Sequence, residues 1–135
     1  MRRFLLLSAV LVAAASPARA QKAIKLADLT GTWAMQTMMG PKDSVVTRST
    51  MTVTPDGKVT VKMQTGTTVA SRILTVGGDS VVAESGPYSS VLRPGQMVTT
   101  RSTMHFKGNN ATGTLVAAYA SGDTLHAKTS GTRNP

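Results

Sequence analysis

In four runs after residue 44, side-chain character alternates from one residue to the next, and few folds tolerate that pattern. In residues 58–64, Val59, Val61 and Met63 alternate with Lys58, Thr60, Lys62 and Gln64. In residues 98–107, Val98, Thr100, Ser102, Met104 and Phe106 alternate with Thr99, Arg101, Thr103, His105 and Lys107. Val45, Thr47, Ser49, Met51 and Val53 oppose Val46, Arg48, Thr50, Thr52 and Thr54, and Leu125, Ala127 and Thr129 oppose Thr124, His126 and Lys128. A period of two is that of an extended strand, and one apolar face per strand is the signature of an antiparallel sheet that is dry on one side and wet on the other. Thr and Val, which dominate these runs, are stiff at χ1 and suit a pleated surface.

Turn chemistry divides the runs at short intervals: Gly40-Pro41, Asp56-Gly57, Gly66, Gly77-Gly78-Asp79, Pro94-Gly95, Gly108-Asn109-Asn110 and Ser121-Gly122-Asp123. The spacing predicts eight strands, at 31–39, 44–54, 58–64, 67–76, 79–92, 96–107, 111–119 and 124–132. The fifth is expected to bend at Gly86-Pro87, because proline cannot donate to a ladder, or to split and make nine. Short links favour pairing between sequence neighbours. The expected fold is therefore all-β: an eight-stranded antiparallel up-and-down barrel, closed so that no edge is left exposed. A two-sheet sandwich is the alternative.

The chain also repeats itself. Thr47-Arg48-Ser49-Thr50-Met51 recurs as Thr100-Arg101-Ser102-Thr103-Met104. Upstream, Gly31-Thr32-Trp33 leads to Gly40 as Gly86-Pro87-Tyr88 leads to Gly95. Strands one and two thus resemble strands five and six, which fits a pseudo-twofold barrel of two four-stranded halves; chance convergence of Thr-rich strands is the other explanation.

The first twenty residues are of a different kind. A basic start at Arg2-Arg3, an apolar run over residues 4–15 and Ala18-Arg19-Ala20 make an expected signal peptide, residues 1–20, cleaved after Ala20. Residues 21–135 then form a single barrel domain, exported to the periplasm or beyond and soluble, with no second apolar stretch able to span a membrane as a helix. The chain has no cysteine, so its core must hold it without disulfides.

Charge narrows the function. Losing Arg2, Arg3 and Arg19 lowers the net charge from +9 to +6. The remaining cations are scattered, and only Trp33, Tyr88, Phe106 and Tyr119 supply aromatic rings, so no nucleic-acid surface is expected. Attraction to anionic envelope surfaces is the plainer consequence. Lys58, Lys62, Arg101, Lys107 and Lys128 interrupt the outer face, which argues against an outer-membrane barrel.

No catalytic constellation is visible, and an enzyme is not expected. Asp43, Asp56, Asp79 and Asp123 fall at turns, where Asp satisfies local backbone. Asp28 precedes the first strand, and Glu84 faces outward from the fifth. His105 and His126 lie on the polar face without the spacing of a metal pair. There is no nucleophile elbow, P-loop or dinucleotide fingerprint. Neither a metal nor a cofactor is expected.

At Gly31-Thr32-Trp33, after the short lead-in over residues 24–29, the chain resembles the lipocalins and wider calycins, with their G-x-W on the first strand. The resemblance implies a ligand-binding barrel in which Trp33 closes one end and a late arginine, here Arg133, packs across it.

Binding is the favoured function. The expected interior carries Trp33, Met35, Thr37, Val45, Thr47, Ser49, Met51, Val53, Val59, Val61, Met63, Val98, Thr100, Ser102, Met104 and Phe106. Of these, Trp33, Met35, Thr47, Ser49, Met51, Met63, Thr100, Ser102, Met104 and Phe106 are the candidate ligand contacts. Methionine adapts to apolar shapes, and the hydroxyls would orient a polar end. The expected ligand is small and mostly apolar or amphipathic. Arg48 and Arg101 become an anion clamp only if the facing is shifted by one residue. The alternative is a structural or interaction protein of the envelope with a packed core and a protein partner. A cavity of about 300 Å³ or more favours the carrier; a filled interior beside an exposed apolar patch favours the interaction protein.

Overall fold

Because each Thr/Val-rich run buries only one face, no single hairpin is stable alone, and the chain solves this by curling one sheet upon itself. The computed structural model describes residues 23–134; the expected signal peptide lies outside the described residues. A short 3₁₀ turn, Leu26–Leu29, precedes eight strands: β1 Gly31–Met39, β2 Ser44–Val53, β3 Val59–Met63, β4 Thr68–Gly77, β5 Ser80–Ser89, β6 Met97–Lys107, β7 Asn110–Tyr119 and β8 Thr124–Arg133. Each strand pairs antiparallel with its sequence neighbour, and β8 returns to pair with β1, Trp33 opposite Arg133 and Thr37 opposite Thr129. The barrel is closed, up-and-down and eight-stranded, not a sandwich. No helix among the described residues is long and apolar enough to cross a membrane.

Two corrections concern bulges. β5 is one strand, so there are eight and not nine, and it stops at Ser89, not at residue 92. Its register against β6 shifts between Ser85 and Tyr88, where Gly86 takes φ 111°. Ser90 then bonds back to Gln96 and the chain turns through Pro94-Gly95. Val45 does not face inward but stands 40 % exposed. The β1–β2 register shifts after Thr37, which pairs with Thr47 while Met38 pairs with Val45, so the alternation in β2 is reset above Thr47.

The two copies of Thr-Arg-Ser-Thr-Met lie on β2 and β6, four strands apart around the ring. The upstream pair is placed differently. Gly31 opens β1 at one end of the barrel, whereas Gly86 lies near the opposite end of β5.

The core lies inside the ring in two groups. Leu29, Trp33, Val53, Val59, Val81, Met104, Phe106 and Ala111 fill the end where β1 starts. Val98, Ala117 and Tyr119, with Tyr88, Leu115 and Leu125 against them, line one wall toward the other end.

Candidate functional site: an uncharged interior cavity

Trp33 plugs one end of the barrel. It is fully buried, and its Nε1 donates to the Leu29 carbonyl at 2.9 Å. The Phe106 ring meets it edge-on, with centroids 5.1 Å apart and planes at 79°. Arg133 lies across the indole, its Cζ 5.0 Å from the ring centroid. The same guanidinium donates to the Asp28 carbonyl at 2.7 Å and to Asn109 Oδ1 at 2.9 Å. One side chain thus ties the 3₁₀ turn, β1 and the β6–β7 hairpin together.

Above this floor is a cavity of about 150 Å³. Near the plug its walls are apolar, with Met35, Met51, Ile73 and Met104. Farther along they carry hydroxyls: Thr37, Thr47, Ser49, Ser85, Thr100 and Ser102. No Asp, Glu, Lys, Arg or His lines it. Tyr88 does, and burial pushes its phenol above the ordinary range against the opposing pull of a hydrogen bond with Thr100; the lining is neutral at physiological pH.

At the far end, the start of the 90–96 segment borders the cavity. Val91 and Leu92 line the cavity, and Leu92 is also 40 % exposed, which places it at the mouth. The segment is held by Ser90 Oγ, 3.0 Å from the Tyr119 hydroxyl, and by Arg93, whose Cζ sits 4.4 Å from the Tyr119 ring centroid while Nη1 reaches Asp123 at 3.3 Å.

Of the residues expected from the sequence, Met35, Thr47, Ser49, Met51, Met63, Thr100, Ser102, Met104 and Phe106 line the cavity. Trp33 does not. Its ring is sealed beneath Phe106 and against Arg133, with no surface left for a ligand. Arg48 and Arg101 are on the outside, where Arg48 Nη1 bonds Gln36 Oε1 at 3.3 Å and Arg101 pairs with Glu84 at 3.3 Å. The facing is not shifted at these positions, and they form no clamp for an interior ligand. Sequence reasoning missed the β4–β5 wall: Ser71, Ile73, Ala83, Ser85 and Tyr88. There the alternation is masked, because Ile73 points in while its neighbour Leu74 is 44 % exposed, and the β4–β5 register shifts beyond Ile73.

Titratable groups gather outside the barrel. His105 Nδ1 lies 2.8 Å from Ser80 Oγ and 3.3 Å from Asp79, and its hydrogen bond holds the Asp79 carboxyl below the usual range. No three His, Cys, Asp or Glu side chains converge to hold a metal among the described residues.

The protein is thus a closed up-and-down barrel with a neutral interior cavity above the Trp33 plug. No family model, curated protein or solved structure matches the chain.

Proposed function

We propose that this is an exported, lipocalin-like binding protein that holds a small, mostly apolar or amphipathic molecule inside its barrel. The observation that carries this reading is the cavity itself, about 150 Å³ of open volume between the Trp33 plug and Leu92. A packed core normally leaves few voids larger than a water molecule. The volume is below the ~300 Å³ at which drug-sized sites begin, but a cavity of about 150 Å³ has room for a single six-membered ring. The ligand is therefore compact, on the order of six to ten heavy atoms.

Native mass spectrometry of the protein purified from its own host tests this. The expected result is a reproducible added mass that is released on denaturation; protein that is consistently bare, from several growth conditions, counts against it. The second reading, an interaction protein of the envelope, draws on Leu74 and Val76, which are 44 % and 39 % exposed on β4. Bare protein that co-purifies with a stoichiometric partner supports that reading instead.

A further inference from the structure

Six of the interior hydroxyls fall into two rows. Thr129, Thr37 and Thr47 are consecutive cross-strand partners on β8, β1 and β2. Ser71, Ser85 and Thr100 are consecutive cross-strand partners on β4, β5 and β6. The middle strands, β1 and β5, are four apart in a ring of eight, so the two rows face one another across the cavity.

The rows differ in how they are satisfied. Ser71 and Ser85 bond each other at 2.5 Å. Thr37, Thr47 and Thr129 make no side-chain hydrogen bond to the described residues. Yet no buried side-chain nitrogen or oxygen lacks a partner among them. The three threonine hydroxyls therefore open onto the cavity even though Thr129 is only 6 % exposed as a residue. A hydroxyl that no side chain engages is free to bond a ligand, either as donor or as acceptor.

Building on the interior-site reading above, we infer that the ligand is uncharged, and that the Thr129–Thr37–Thr47 row recognises a hydroxyl, carbonyl or amide on it while its apolar body rests against Met35, Met51, Ile73 and Met104. Neutrality follows from the lining: a charged head inside would meet no opposite charge and would lose its hydration uncompensated. Each threonine hydroxyl both donates and accepts, so the row serves either polarity of partner. The serine side, already bonded within itself, acts as wall.

Calorimetric titration of the purified protein with benzene, phenol, benzamide and benzoate tests this. Phenol is expected to bind about ten-fold tighter than benzene, and benzamide about ten-fold tighter than benzoate, the size of one net hydrogen bond or of a modest charge penalty. The shape-conserving double variant Thr37→Val/Thr47→Val is expected to bring phenol to within about two-fold of benzene while benzene binding persists, which also reports an intact cavity. Ser71→Ala is expected to change neither. Thr129→Val serves the same purpose if the double variant melts without cooperativity. Benzene binding as tightly as phenol overturns the recognition row but leaves the interior site standing. Benzoate binding tightest overturns neutrality. Failure of all four to saturate at millimolar concentration overturns the interior site as well.

Discussion

Arg133, ten residues along the last strand, lays its guanidinium over the single tryptophan of the chain, Trp33, and the two residues are also direct cross-strand partners of β8 and β1. The contact sits at the seam where the first and last strands close the ring. The same residue that covers the plug also carries the 3₁₀ turn through the Asp28 carbonyl. Arg133 therefore links the seam of the sheet to the closure of the barrel end.

Arg133→Ala is expected to lower unfolding stability by about 2 kcal/mol, from a lost cation–π contact and lost charge-assisted bonds. Arg133→Lys should recover less than half of this, since an ammonium cannot spread over the indole and reach two acceptors at once. Urea denaturation monitored by Trp33 fluorescence measures both.

Two glycines separate backbone need from free space. A Cβ at Gly113 would collide with the Thr103 carbonyl on β6, whereas one at Gly77 would meet nothing within 4 Å. Gly113→Ala is expected to cost about 3 kcal/mol or more by forcing β7 away from β6. Gly77→Ala should be neutral or stabilising by up to about 1 kcal/mol, by narrowing the unfolded ensemble. Thermal melts of the two variants check the contrast.

Glu84 sets an acid dependence. Hydrogen bonds from Arg72 and then Arg101 hold its carboxyl below the ordinary 4.5. A carboxylate depressed in the folded state adds stability above its unfolded pKa and loses it as pH falls through the lower folded value. Wild-type protein should therefore lose more stability than Glu84→Gln on acidification below 4.5. The two melting curves should converge in acid and separate at neutral pH. Because the pair is solvent-exposed, salt should shrink the neutral-pH difference.

At the mouth, Arg93 holds the 90–96 segment through Tyr119 and Asp123. Arg93→Ala should speed hydrogen exchange at the Ser90 and Gln96 amides, which bond within this segment, by roughly ten-fold. Exchange at β7 and β8 amides should not change. Exchange measured by mass spectrometry or NMR distinguishes local opening from general loosening.

Much of the barrel was legible because its signal is local. Val59, Val61 and Met63 alternate with charged and polar neighbours, and each then faces the interior. Short Gly- and Asp-bearing turns prescribe neighbour pairing. What was illegible depends on bulges. At Val45 and beyond Ile73 a register shift reverses which side chains point inward, and no residue type announces the shift. In β4 the neighbours Ile73 and Leu74 are both apolar, so hydropathy carries no parity. The interior Ser85 reads from composition as a surface residue, yet it is buried by its position in the ring. The opposed hydroxyl rows were beyond reach for the same reason, since they exist only once register and closure are known.

The account stands on a hollow between the Trp33 plug and Leu92 whose plug end is walled by apolar side chains. Diffraction from a crystal under xenon pressure tests it most directly, because xenon enters apolar cavities of this size. Xenon density bounded by Met35, Met51, Ile73 and Met104 is the predicted result. An interior with those side chains in mutual contact and no xenon between them would contradict it.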